Sequence, residues 1–129
     1  MRPSIAVDII IEKDGKVVLI KRNKEPFRNC FALPGGFVEY GEKVEEAAIR
    51  ESKEETNLDI KIKELLGVYS DPKRDPRGHV ISIVFIATPI NLDLKSSSDA
   101  INVRWFKMKE VPNNLAFDHK KILEDFLNK

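Results

Sequence analysis

The chain has 129 residues, 22 of them Lys or Arg and 21 Asp or Glu, for a formal charge of +1. That length fits one domain, residues 1–129, able to bury a core, and so even a balance supplies no basic field to recruit nucleic acid. A single cysteine, Cys30, excludes an internal disulfide and fits a reducing cytosol, and no zinc-type Cys and His spacing occurs.

The first twelve residues lack the basic and apolar order of a signal peptide, and no run is long enough for a membrane-spanning helix. The expectation is a cytoplasmic protein with no membrane partner. Residues 4–12 and 16–22 are β-branched runs joined by Lys13-Asp14-Gly15, a hairpin signal that makes the first two strands adjacent. A polar loop with Pro26 follows, then a short strand at 30–33 that ends in the tight turn Leu33-Pro34-Gly35-Gly36. Cys30 reads as a small, half-buried residue beside that loop, since neither His79 nor His119 forms a local motif with it.

Gly41-Glu42 breaks the chain again before a helix whose acidic residues fall in an unexpected place. At about 100° per residue, Val44, Ala47, Ala48, Glu51, Glu54 and Glu55 project to one side, so the face begins apolar and ends acidic. Lys43, Glu46, Arg50 and Lys53 occupy the opposite, solvent-facing side. Like charges at i,i+3 and i,i+4 repel, and anions near a helix C-terminus are disfavoured by its dipole. A cation should offset both effects, and oxygen-only ligands suit a hard divalent ion such as Mg2+ or Mn2+.

Beyond the helix, residues 60–70, 80–90 and 102–107 read as strands of a mixed sheet buried on both sides. Residues 117–128 place Ile122, Leu123, Phe126 and Leu127 at helical spacing, with Asp118 as candidate N-cap. Two helices are thus available to cover two sheet faces.

The segment 36–58, GFVEYGEKVEEAAIRESKEETNL, resembles the Nudix box: Gly36, five residues, Glu42, seven residues, then Arg50-Glu51-Ser52-Lys53-Glu54-Glu55-Thr56-Asn57-Leu58. Every charged position of that pattern is present. Ser52 stands at an aliphatic position, a small loss of apolar contact. Asn57 replaces a glycine, and Asn is the next best residue for a left-handed helix cap. The resemblance implies an α/β fold, an α/β/α sandwich with a mixed β-sheet between helices, and Mg2+-dependent hydrolysis of a nucleoside diphosphate derivative. It also implies a metal site formed by Glu51, Glu54, Glu55 and the carbonyl of Gly35, with Arg50 and Glu42 orienting the glutamates. For the general base it offers Glu54 first and Asp99, in a later loop, second.

Substrate selection must come from outside the box. The linker 68–79, VYSDPKRDPRGH, is far richer in Pro, cations and His than a turn requires. With the LPGGFVEYGE run it resembles the ADP-ribose pyrophosphatase branch. Arg74 and Arg77 suit phosphate or ribose, Arg28 is a further phosphate contact, and Phe31 is either a base-stacking residue or core. The leading expectation is hydrolysis of ADP-ribose to AMP and ribose 5-phosphate. The alternatives are a mutator-type pyrophosphatase acting on oxidised nucleoside triphosphates, a hydrolase of dinucleoside polyphosphates or NADH, and a noncatalytic nucleotide sensor. Small members of the family commonly dimerise, so a homodimer is expected.

Overall fold

The computed structural model describes residues 1–95 and 100–129. In chain order the elements are β1 (Ser4–Lys13), β2 (Lys16–Arg22), β3 (Phe31–Ala32), β4 (Gly35–Phe37), α1 (Val44–Thr56), β5 (Ile60–Tyr69), β6 (Val80–Pro89), β7 (Ala100–Lys107) and α2 (His119–Leu127). All the expected strands and both helices form. No helix among the described residues is long and apolar enough to cross a membrane.

The centre of the mixed sheet is β1. Along one edge it runs parallel to β6 through eight consecutive pairs, from Ser4 opposite Val80 to Ile11 opposite Ala87. Its alternation explains why it is buried on both faces: Val7, Ile9 and Ile11 join Ala47 and Ala48 of α1, while Ile10 packs with Leu19, Val84, Phe106, Ile122 and Leu123 on the α2 side. Two helices therefore cover opposite faces of one sheet, as the sequence implied.

The other edge of β1 is divided between two partners, and this division opens the cleft. It pairs with β2 only at the hairpin, Glu12 opposite Val17 and Lys13 opposite Lys16. Further along, β4 takes that edge, with Ala6 opposite Phe37 and Asp8 opposite Gly35. Meanwhile β2 continues with β3 and β7 as its neighbours. The two parts of the sheet diverge from the hairpin, leaving a gap between the end of β2 and β4.

One expected feature differs. Burial on both sides does not hold for β7, where Asn102, Arg104 and Lys107 are exposed, nor for β5, where Leu65 and Val68 are 52% and 55% exposed. Strand β5 lies at the end of the order β3-β2-β1-β6-β5, so it has a neighbour on one side only.

Candidate active site

Helix α1 is held at both ends by its own sequence. The Glu46 carboxylate accepts the Lys43 N–H at 2.8 Å at the start. At the end Asn57 adopts the left-handed conformation, φ 64°, with its N–H donating to the Lys53 carbonyl at 3.0 Å. Asn thus does the work expected of the glycine it replaces. The buried positions are Ala47, Ala48, Ser52 and Thr56. Ser52 is more than a lost apolar contact, because its Oγ is buried without a hydrogen-bond partner among the described residues.

The three glutamates share the end of this helix but differ in setting. Glu51 is largely buried and Glu54 is on the rim, with side chains 13% and 58% exposed. Glu55 reaches inward, where its Oε1 accepts the Gly35 N–H at 2.7 Å. Glycine is required at two adjoining positions. A Cβ on Gly36 would collide with the Glu51 carboxylate, and one on Gly35 with the Val7 carbonyl and Asp8 carboxylate.

Arg50 is not ordinary solvent-facing charge. Its Nε and Nη2 donate to Glu42 at 2.7 and 3.0 Å, its Nη1 to Glu51 at 2.5 Å and Glu54 at 3.3 Å, and its Nη2 also to the Phe37 carbonyl at 3.0 Å. The bond with Glu42 is the main reason its guanidinium lies above the ordinary arginine value, and the same bond holds Glu42 at about 2. Burial pushes Glu51 up to about 7, against the pull of Arg50 and with help from Glu54. Burial pushes Glu55 further, to about 8, with Glu51 and Asp8 adding repulsion and the Gly35 N–H opposing.

As they stand, no three carboxylate, His or Cys side chains among the described residues converge closely enough to hold a metal ion. Arg50 draws Glu51 and Glu54 one way and the Gly35 N–H draws Glu55 another. The donor chemistry nonetheless fits a hard cation, since two half-buried carboxylates whose ionisation is suppressed are the groups a divalent ion would recharge.

A cleft of about 650 Å³ lies against this glutamate wall, and Arg22, Lys24 and Arg77 line its other parts with Gly35, Gly36 and Phe37. A smaller inner cavity of about 60 Å³ continues behind it, lined by Asp8, Arg22, Glu55, Arg74, Arg77, Phe117 and His119 among others. Its floor is a buried polar network. Ser82 Oγ donates to Asp8 at 2.5 Å, and His119 Nδ1 accepts the Leu33 N–H at 3.0 Å. That bond leaves the imidazole proton on Nε2, which faces Asp8 at 3.5 Å.

The expected substrate residues separate. Arg77 reaches the cleft, fixed by Asp75 at 3.1 and 2.8 Å and placed 5.2 Å from the Phe37 ring centre. Arg74 lines the inner cavity and not the cleft: its side chain is buried and forks onto Asp118 at 2.9 and 2.7 Å, with Asp8 3.8 Å away, so its charge is engaged inside the fold. The same contact explains why Asp118, the N-cap residue of α2, makes no side-chain cap bond. Arg28 is exposed, pairs with Glu25 at 3.7 Å and lies outside the cleft lining. Phe31 is partly buried against the core, edge-on to Phe106 at 4.9 Å, and lies outside the cleft lining. Asp99 lies outside the described residues.

The sequence reading missed Arg22, Asp8 and His119. A lone carboxylate in the apolar run of β1 was the available signal for Asp8. Nothing in the local sequence marks the other two.

A mixed sheet between two helices, with this charged turn-and-helix segment at a cleft, is the framework of a Nudix hydrolase, and the NUDIX domain profile matches residues 2–126. The chain belongs to that family. It is 60% identical over 127 residues to an ADP-ribose pyrophosphatase of Methanocaldococcus jannaschii, covering 98% of this chain and 75% of that protein. A putative 8-oxo-dGTP diphosphatase of Bacillus subtilis is 28% identical over 93% of this chain and 76% of its own length. Among solved structures, a MutT/nudix family protein of Enterococcus faecalis superimposes with a TM-score of 0.86 at 35% identity, over 99% of this chain and 62% of that one.

Proposed function

We propose that the chain hydrolyses ADP-ribose to AMP and ribose 5-phosphate, water adding to one phosphorus as the anhydride bridge breaks. The 60% identity to an ADP-ribose pyrophosphatase across nearly the whole chain carries this reading. The cleft is compatible with it, because an acidic wall faces cations across a space large enough for a nucleotide.

Glu51, Glu54 and Glu55, with the Gly35 carbonyl, would hold Mg2+, or Mn2+ in its place. Bound there, such an ion neutralises phosphoryl oxygens and makes water more acidic. The chain's own groups do the rest. Arg50 orients Glu51 and Glu54 through direct hydrogen bonds, and the Gly35 N–H orients Glu55. Glu54, the most solvent-accessible of the three, takes the proton of the attacking water, with Asp99 as the alternative base. Arg77 contributes positive charge to the phosphate side of the cleft. The protein acts in the cytoplasm as a homodimer. A 14.8 kDa particle by light scattering at micromolar concentration would remove the dimer.

The second reading, cleansing of oxidised nucleoside triphosphates, draws on the likeness to the Bacillus protein. Steady-state turnover with Mg2+ separates the two. The expectation is a kcat/KM for ADP-ribose about a hundredfold above that for 8-oxo-dGTP, a difference of about 2.7 kcal/mol in transition-state binding, with AMP as product by chromatography. The reverse preference would overturn the proposal while leaving the fold and metal site in place.

A further inference from the structure

Leu33, Pro34 and Gly35 form a turn in which each residue is held by a different element. Strand β3 ends at Ala32, paired with Ile20 of β2, so the buried Leu33 N–H has left the sheet and needs another acceptor. That acceptor is His119 Nδ1 at 3.0 Å, a side chain 86 positions further along the chain. The Pro34 carbonyl accepts the Ile9 N–H at 2.9 Å, and the Gly35 N–H donates to Glu55 Oε1 at 2.7 Å. Helix α2, strand β1 and helix α1 thus contribute one contact each to three consecutive residues.

The imidazole is itself oriented before it meets Leu33. His119 is the first residue of α2 and is buried. Phe117 lies beside its ring, 5.4 Å between centres, and the Asp8 carboxylate faces Nε2 at 3.5 Å. Asp8 is held in turn by the Ser82 hydroxyl. A carboxylate opposite one ring nitrogen favours the proton there and leaves a lone pair on the other, so Asp8 selects the tautomer in which Nδ1 accepts. The backbone leading into the ring is fixed as well, by the Arg74 fork on Asp118 and by the Ala116 N–H on the Phe31 carbonyl at 2.9 Å.

The turn carries that orientation toward the glutamates. Proline fixes its own φ and confines the residue before it to extended conformations, so Leu33-Pro34 is a stiff pair. Gly35 then fits against β1 with no room for a Cβ. We propose that His119 is a positioning residue for the metal site: its Nδ1 lone pair fixes Leu33, and through the stiff Leu33-Pro34 pair it sets where Gly35 meets Glu55. This rests on reading Gly35 and the three glutamates as the metal ligands. His119 lines the inner cavity and not the cleft, so it acts through the turn.

The test is calorimetric binding of Mn2+ to the full chain, without substrate, for wild type, H119N and H119Q. Asparagine carries its amide oxygen where imidazole carries Nδ1 and so keeps an acceptor for Leu33. Glutamine places its amide at the Nε2 end and removes that acceptor, although it is nearer to histidine in volume. H119Q should weaken Mn2+ binding about ten- to a hundredfold, the usual effect of losing a group that orients a metal ligand. H119N should bind nearly as wild type does. A role in filling space alone gives the reverse order, so H119Q binding as tightly as wild type, or more tightly than H119N, overturns the proposal. Amide hydrogen exchange supplies a second readout: the Leu33 and Gly35 N–H groups should exchange faster in H119Q than in H119N, and equal protection also overturns it. Should either variant fail to fold, nitrogen NMR of the wild-type imidazole decides. Nδ1 should be unprotonated and its resonance should move as Mg2+ is added; a protonated Nδ1, or a resonance indifferent to Mg2+, refutes the coupling. The readings fail separately. Wild type that binds no Mn2+ at millimolar concentration removes the metal site and this role with it, whereas tight wild-type binding with an indifferent H119Q removes His119 alone. Mn2+ affinity that depends on His119 in a protein inert toward ADP-ribose removes only the substrate assignment.

Discussion

Replacing Glu55 with Gln should make the metal-free protein more stable, and increasingly so as pH rises. The amide keeps an oxygen to accept the Gly35 N–H, now met at 2.7 Å by the carboxylate, and removes only the ability to carry charge. In the fold Glu55 ionises at about 8 instead of the ordinary 4.5, chiefly because it is buried. Between those values the unfolded chain binds fewer protons at this site than the folded one, so metal-free wild type loses stability as pH rises from about 4.5 to about 8. At about 1.4 kcal/mol per pKa unit, roughly 3 kcal/mol of that loss falls between pH 5.5 and 8. The Gln variant lacks this contribution, and its absence also relieves repulsion on Glu51. Urea denaturation in EDTA at the two pH values measures the difference. The gap in favour of E55Q should be smaller at pH 5.5 and wider by about 2–3 kcal/mol at pH 8. Mg2+ should then raise the stability of wild type at pH 8 but not of the variant. A variant less stable than wild type at pH 8, or a gap indifferent to pH, would show that Glu55 is not a suppressed buried acid.

Glu54 offers the complementary case. Its side chain is 58% exposed, so E54Q should melt within a degree or two of wild type while kcat falls by orders of magnitude; an unfolded variant would make the residue structural. Arg74→Met should lower stability by about 3–5 kcal/mol in urea, since it leaves Asp118 without its buried partner. A stable R74M with a raised KM would return Arg74 to the substrate. Ser52→Ala should stabilise the protein by about 1 kcal/mol, because it removes a buried hydroxyl with no hydrogen-bond partner among the described residues and favours the helix. A lower melting temperature for S52A would point to a hydrogen bond that its surroundings do not display.

What was legible in the sequence is what short-range spacing determines. The hairpin follows from Lys13-Asp14-Gly15 between β-branched runs, and α1 from a charged pattern of fixed spacing with an αL-capable residue at Asn57. The contacts that sort the candidate residues join distant parts of the chain. Arg74 and Arg77 are three residues apart in the same Pro-rich linker and are chemically equivalent as letters. One finds Asp118, 44 residues away at the head of α2, and is withdrawn into the fold. The other finds Asp75 two residues away and stays at the cleft. Arg22 reads locally as a cation ending an apolar strand. Its place at the cleft depends on β2 parting from β1, which is a property of pairing and not of composition.

The charge argument for a metal also changes once Arg50 is placed. Repulsion among Glu51, Glu54 and Glu55 was the reason to expect an external cation, but an internal one already contacts two of them together with Glu42. Among the described residues no cation contacts Glu55, and Arg22 pulls on it only through its field. Glu55 faces a backbone N–H and two further carboxylates, Glu51 and Asp8, whose charges raise its ionisation. On the proposed metal site, the demand for a divalent ion would therefore be concentrated on the innermost glutamate, while Glu51 and Glu54 would each offer the ion the carboxylate oxygen that Arg50 leaves free. Arg50 thus limits the repulsion that the three carboxylates impose on the metal-free helix, and by fixing one oxygen of Glu51 and one of Glu54 it sets where the other oxygens point.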